Sequence, residues 1–254
     1  MNLRHIFILP ALLAAMACSD DSPVTPDTPD TPEGPDITNS VEKLVSIDAG
    51  QTFQTIAGFG ASDCWSPAFV GKSWTSHRAG ITELLFSSEI VGGKPKGIGL
   101  SQWRVNLGGG SAAQGEACGI EDKSRRAESY LTDDLTYDWT RCEGQRYFMD
   151  RAKELGCNNF VLFSNTPPVQ YTYNGKGFSA RGGLSNLKPE HYGDFAGYMA
   201  DVAARYTGEG YHISHISPVN EPQYNWDSGQ EGSGWTNDEV AALARELDMS
   251  LGDR

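Results

Sequence analysis

Pro218-Val219-Asn220-Glu221-Pro222 is the stretch of this 254-residue chain best equipped for chemistry. Residues Ile213 to Val219 read as an apolar strand, so Asn220 and Glu221 stand at its C-terminal end. Pro222 stops the strand and biases Glu221 toward an extended backbone. A carboxylate projecting from a strand end can give up and recover a proton. The amide beside it offers both a donor and an acceptor to hydroxyl groups. The competing reading is a solvated turn glutamate with no such role.

Three earlier segments end in similar clusters: Gly58-Phe59-Gly60-Ala61-Ser62-Asp63-Cys64-Trp65, Trp103-Arg104-Val105-Asn106-Leu107-Gly108-Gly109-Gly110-Ser111, and Ser164-Asn165-Thr166-Pro167-Pro168. Each follows a stretch that reads as a strand, and helical patterns lie between them. The spacing predicts helices over Arg78 to Phe86 and Glu143 to Leu155. A third, opened by Pro189, carries the stripe Tyr192, Phe195, Met199, Val202 and Tyr206. A last one has Val240, Leu243, Leu247 and Leu251 inward, with Thr236 and Glu239 as its capping box. Strands are predicted at Leu44 to Asp48, at Phe53 to Phe59, at Leu100 to Leu107, at Phe160 to Phe163 and at Ile213 to Val219. Phe160 to Phe163 is continuously apolar, as a parallel strand buried on both faces should be.

Four β-then-α units imply an α/β fold with a parallel sheet and right-handed crossovers. The long segments, 60–77, 108–142, 164–188 and 220–236, all follow strands. That asymmetry predicts the active face of a TIM (β/α)8 barrel, of which about the first four units are present. A doubly wound sheet is the rival fold; Gly58-Phe59-Gly60 lacks the third glycine of its fingerprint, which argues against a dinucleotide site. No GxSxG, HExxH or Walker A sequence occurs. His212 and His215 sit on opposite faces of a strand and cannot share a metal. The reading calls for no cofactor and no metal.

The four clusters, in this order, resemble glycoside hydrolase family 30, most closely its bacterial branch similar to endo-β-1,6-galactanases. The resemblance covers roughly residues 44–254. It implies a retaining O-glycosyl hydrolase (EC 3.2.1.-) working by double displacement on a β-linked polysaccharide or glycan. Glu221 would be the general acid/base, and Asn220 would bind the sugar at the cleaved bond. Arg104 would lie beneath the site and orient the carboxylates, unless it only makes a structural ion pair. Asp63 and Trp65 would line the same subsite, unless Asp63 only caps the following helix. The family commonly has an aromatic after Pro-Pro-x, whereas this chain has Gln170 and then Tyr171, so either Tyr171 supplies the stacking face or the subsite differs from the family's. Trp226 joins the substrate-binding set among the aromatics that follow strands: Trp65, Tyr171, Tyr173, Phe178, Tyr224, Trp226 and Trp235. Pyranose C–H faces pack on such rings, and the hydroxyls need Asn, Asp and Gln partners.

The same resemblance exposes a gap. A retaining glycosidase needs a second carboxylate about 5–5.5 Å from the first, and the family places it at the seventh strand. Glu231, Glu239 and Glu246 lie in the last loop and helix. An inverting pair of Glu221 with Asp227 or Glu231 rests on proximity alone. Residues 41–254 are therefore expected to be the N-terminal half of the catalytic domain, inactive without the nucleophile. The alternative from another class is a non-catalytic, surface glycan-binding lipoprotein.

Composition limits the partners. The net charge is −13, distributed as +1 over residues 1–18, −6 over 19–40 and −8 over the rest. No basic patch supports nucleic-acid binding or adhesion to an anionic membrane. Residues 1–18 read as a lipoprotein signal peptide: Arg4 and His5, an apolar run too short to span a bilayer, then Ala15-Met16-Ala17-Cys18. Cys18 would carry the lipid, the sole membrane attachment, unless this is an ordinary signal peptide. Ser19-Asp20-Asp21 resembles the acidic export tag of some outer-membrane lipoproteins that reach the cell surface. Residues 19–40 hold five of thirteen prolines, interleaved with Thr and Asp, and read as a semi-rigid linker. Of the remaining cysteines, Cys118 and Cys142 are expected to be able to pair, and Cys157 to be a buried free thiol.

Overall fold

The computed structural model describes residues 45, 46 and 48–252. The chain divides into two compact units after residue 53. Of the first, the described residues are exposed, and Asp48 closes a turn by accepting from the Gly50 amide at 2.9 Å. Val45, Ser46 and Asp48 carry no strand, contrary to the expectation for Leu44 to Asp48, of which Leu44 and Ile47 lie outside the described residues. The signal peptide, Cys18 and the linker 19–40 also lie outside them.

The second unit is an α/β fold. In chain order it contains β1 (Gly60–Ser62), α1 (Ser66–Ser73), α2 (Arg78–Phe86), the small antiparallel pair β2 (Ile90–Val91) and β3 (Lys94–Pro95), then β4 (Gln102–Asn106). Next come α3 (Glu143–Glu154), β5 (Asn159–Phe163), α4 (Tyr192–Gly208), β6 (Ile213–Ser217) and α5 (Asn237–Gly252). The main sheet is parallel throughout, in the order β1-β4-β5-β6. Every crossover adds its strand on the same side. Among the described residues the sheet therefore shows no reversal of the kind that makes a doubly wound fold and its switch-point crevice.

Register separates the two faces. Trp103 pairs with Phe160, and Val105 with Leu162, so these four share a face, and all are buried. The Trp103 indole meets Phe86 of α2 edge-on at 4.9 Å and stacks on Phe148 of α3 at 6.4 Å, which makes this the helix-covered face. Arg104, Val161 and His215 lie across from one another on the other face, where Val161 is half-buried and His215 exposed. The expectation that β5 is buried on both faces holds at Phe163, which is buried on this second face, and is corrected at Val161.

The predicted helices form with shifts of a residue or two, and their apolar stripes explain why. Phe195, Met199, Val202 and Tyr206 of α4 are all buried, as are Leu243 and Leu247 of α5, while Leu251 stays largely exposed. The capping box is present: Glu239 Oε2 accepts from the Thr236 amide at 2.7 Å, and Thr236 Oγ1 accepts from the Glu239 amide at 3.3 Å. Helix α1 falls within 60–77, a segment that carries no long apolar stripe. It has Pro67 in its first turn and lies on α3 so closely that a Cβ on Gly71 would stand 2.1 Å from the Gly144 carbonyl oxygen.

Cys118 and Cys142 are both free and buried, so the expected pairing does not occur. Cys118 Sγ accepts from the Ile120 amide, and Cys142 directly precedes α3 with its own amide bonded to Glu128. Cys157 is a buried free thiol, as the sequence predicts. No described helix is long and apolar enough to cross a membrane.

Candidate active site

Four strands of one parallel sheet end side by side, and their C-terminal loops bring distant residues together. Asn220 and Glu221 follow β6, Arg104 sits within β4, and Asp63 follows β1. Arg104 Nη2 donates to Asn220 Oδ1 at 2.8 Å, across 116 residues of chain. That bond fixes the amide so that its NH2 group faces away from the arginine. The guanidinium lies 3.3 Å above the Phe163 ring centroid. Among the described residues Arg104 makes no ion pair. Burial lowers its pKa, and the charges of Cys64, Asp63 and Glu221 act against that shift. Glu221 is thus within electrostatic reach of Arg104.

Glu221 is exposed, and its backbone is left-handed, with φ at +42°. This corrects the extended conformation expected from Pro222. The cause is a tight turn that reuses one carbonyl. Glu221 O accepts from the Tyr224 amide at 3.0 Å and from Trp226 Nε1 at 3.2 Å. The chain doubles back immediately, leaving the carboxylate on the outside of the turn.

Asp63 is 2% exposed and held from two sides. Its Oδ1 accepts from the Asn106 amide at 2.9 Å and its Oδ2 from Gln145 Nε2 at 2.6 Å. Burial raises its pKa to about 7, opposed by those hydrogen bonds and by Arg104. Asp63 makes no cap for α1, which starts at Trp65 without a side-chain cap bond. Asp63, Trp65, Asn106, Glu128 and Gln145 line a cavity of about 20 Å³, room for a single water. Asn106 Oδ1 and Trp65 Nε1 are buried there with no protein partner.

Two expected sugar platforms are committed elsewhere. Tyr171 is buried and stacks on His191 at 4.8 Å, so it presents no open face. Gln170 reaches away to Asp133. Trp226 is 3% exposed, its indole spent on holding the Glu221 carbonyl. The aromatics of this rim that do face solvent are Tyr224, 58% exposed and edge-on to Trp226 at 4.8 Å, and Tyr173, whose ring carries Arg181 at 3.9 Å.

The proposed inverting partner Glu231 is fully buried. Its Oε2 accepts from the Gly109 amide at 2.7 Å and its Oε1 from the Ser111 amide at 2.9 Å. Burial raises its pKa against the pull of those bonds. Asp227 is exposed. No water can reach Glu231 to be activated, so Glu231 is not the inverting partner of Glu221. Its anchoring role was invisible in sequence: an isolated glutamate in a Gly/Ser-rich loop reads as solvated. The three glycines 108–110 were the available signal. A Cβ at Gly109 would stand 2.4 Å from Thr166 Cγ2, so the turn must be bare for the loops to close.

Residues 42–254 match the model of O-glycosyl hydrolase family 30. An endo-beta-1,6-galactanase of Hypocrea rufa is 26% identical over 230 residues, 83% of this chain and 47% of that protein. A conserved exported protein from Bacteroides fragilis superposes with a TM-score of 0.76 at 36% identity, covering 82% of this chain and 43% of the other. The catalytic domain of GH30 xylanase C from Talaromyces cellulolyticus shares the fold at 19% identity, with a TM-score of 0.56 over 80% of this chain and 45% of its own. The chain spans about half the length of the curated relative it matches. With Asn220-Glu221-Pro222 at the end of β6 and the family match running through it, the chain belongs to O-glycosyl hydrolase family 30.

Proposed function

We propose that the protein is a retaining O-glycoside hydrolase acting on a β-linked glycan, similar to an endo-β-1,6-galactanase, and that residues 54–252 form four of the eight units of its (β/α)8 barrel. The observation that carries this reading is the Arg104–Asn220 bond beside the exposed Glu221 carboxylate. It leaves a pre-oriented amide donor next to a group that solvent and substrate can both reach. Glu221, protonated, gives its proton to the glycosidic oxygen as the bond breaks. As carboxylate, it then takes a proton from the water that releases the sugar. Asn220 grips a hydroxyl of the sugar at the cleaved bond, and Arg104 holds that amide in place. Asp63 and Trp65 stand behind the same subsite, with Tyr224 as an open aromatic face. The nucleophile comes from polypeptide beyond residue 254, so residues 41–254 alone are inactive. Export follows from residues 1–18, with Cys18 lipidated and 19–40 lifting the domain off an outer membrane, facing the cell surface.

The test is Glu221→Gln in the full-length enzyme, assayed on β-1,6-galactan and on the dinitrophenyl glycoside of β-1,6-galactobiose. The amide keeps the shape and cannot transfer a proton. On galactan kcat/KM falls by about 10²–10⁴-fold. The dinitrophenyl substrate, whose leaving group needs no proton, keeps a kcat/KM near that of the parent. Galactan hydrolysis within a few-fold of the parent overturns the assignment. Binding of glycan without any hydrolysis by the parent enzyme turns the reading to the glycan-binding lipoprotein.

A further inference from the structure

We propose that Glu231 is the positioning residue of the acid/base loop: it clamps the segment carrying Glu221 to the glycine turn that follows β4. The idea rests on the reading of Glu221 given above and adds a residue that never touches substrate. Three loops meet at this one carboxylate. The loop after β4 supplies the amides of Gly109 and Ser111. The loop after β5 supplies Gly177, whose missing side chain makes room: a Cβ there would stand 2.9 Å from Glu231 Cγ. The loop after β6 supplies Glu231 itself. No cation compensates the charge among the described residues. The inward-pointing amides do so instead.

From Glu231 the constraint runs to Glu221 in two steps. Gly232, the next residue, lies under the Trp226 ring so tightly that a Cβ would stand 2.2 Å from two ring carbons. Trp226 Nε1 in turn holds the Glu221 carbonyl. A second strand of the clamp joins the Trp235 amide to the Pro222 carbonyl at 2.8 Å. The left-handed backbone of Glu221 is costly for a residue with a side chain and persists only where its surroundings impose it. The buried clamp is what imposes it here. Release would let the turn relax and the carboxylate drift, and a shift of about 1 Å in a reacting group costs on the order of 10²-fold.

The experiment compares Glu231→Gln and Glu231→Asp with the parent full-length enzyme. Gln keeps the volume and turns one acceptor into a donor facing an amide. Asp keeps the charge and shortens the reach, and serves if Gln does not fold. Two readouts are taken: hydrogen exchange of the 108–111 and 221–226 amides, and kcat/KM on galactan and on the dinitrophenyl glycoside. Exchange is expected to speed up in both segments. Galactan kcat/KM is expected to fall roughly 10- to 100-fold, with the dinitrophenyl substrate within about threefold of the parent. Equal losses on both substrates, or unchanged exchange at 221–226, overturns the proposal. If the parent cleaves neither substrate, the functional reading fails while the exchange data still decide whether Glu231 clamps the loop.

Discussion

Glu221 and Glu231 lie in one loop, ten residues apart, and the fold treats them in opposite ways. Glu221 is exposed, and among the described residues no hydrogen bond holds its carboxylate. Glu231 is sealed and tied to two backbone amides. Asp63, at the neighbouring strand end, belongs with Glu231: buried, bonded to an amide and to Gln145. Of these three carboxylates, one is open to solvent and two are built into the frame. The lesson is that residue type does not assign the role here. Access to water and the number of fixed donors do.

The contrast breaks most visibly through pH, at Asp63. Its pKa is raised by burial to about 7 in the folded protein, against 3.8 for an unburied aspartate. Between those values the folded state holds a proton that the unfolded state has released. The unfolded chain then binds fewer protons, so stability falls as pH rises. The favourable contribution is complete below pH 4, declines from there to pH 7 and is flat above. Over about three pH units, at about 1.4 kcal/mol each, the range is on the order of 4 kcal/mol. Asp63→Asn has no such proton to lose. Its stability relative to the parent should climb steadily from pH 4 to pH 7 and then level off, as read from urea unfolding at each pH. A constant offset between the two proteins across this range would show that burial does not raise the Asp63 pKa, and would remove it from the buried frame.

A smaller effect is expected at Gly232. An added methyl would collide with Trp226, which cannot swing away without dropping the Glu221 carbonyl. Overpacking of this kind costs about 1–3 kcal/mol. Gly232→Ala should therefore lower the melting temperature by several degrees, at about 2–4 °C per kcal/mol for a domain of this size. Gly183→Ala, where nothing lies within 4 Å of the new methyl, is the control and should melt with the parent. Equal melting of the two variants would mean that the Trp226 contact is loose and the anchored half of the loop is no firmer than the free half.

Much of this arrangement was legible in the sequence, and the reasons are physical. Helix α4 was readable because Phe195, Met199, Val202 and Tyr206 recur at the helical period and all reach the core. The position of Glu221 was readable because a strand-ending Pro222 marks the rim. Its backbone was not, because the turn is set by Trp226, a contact that no local pattern encodes. Helix α1 was missed because its burial comes from bare glycine contact with α3 rather than from an apolar stripe. Tyr171 enters the substrate set only through the family resemblance, which expects an aromatic near Pro167-Pro168. The structure turns the ring onto His191 instead, a partner twenty residues away. Local rules carried the periodic elements, whereas the misplaced residues were decided by side-chain contacts outside any periodic pattern, five residues off for Glu221 and twenty for Tyr171.

The smallest effect lies at the far end of the same loop, where it enters α5. Thr236 Oγ1 accepts from the Glu239 amide at 3.3 Å, a long bond, while Glu239 Oε2 accepts from the Thr236 amide at 2.7 Å. Glu239 also accepts from the Ser185 amide at 3.3 Å, so it joins the helix start to the loop after β5. The two halves of this cap are therefore unequal. Thr236→Ala removes only the weaker arm and should cost about 0.5–1 kcal/mol, the low end of N-cap substitutions. Glu239→Ala removes the stronger arm, the Ser185 contact and a negative charge at a helix N-terminus, and should cost more, about 1–2 kcal/mol. Thermal melts of the two variants should fall in that order. Since Glu231 and Trp226 hold Glu221 independently of the cap, neither variant should alter exchange at residues 221–226. Faster exchange there in Glu239→Ala would place the support of Glu221 at the helix end of the loop, and would take from Glu231 the role that its burial and its two amide bonds assign to it.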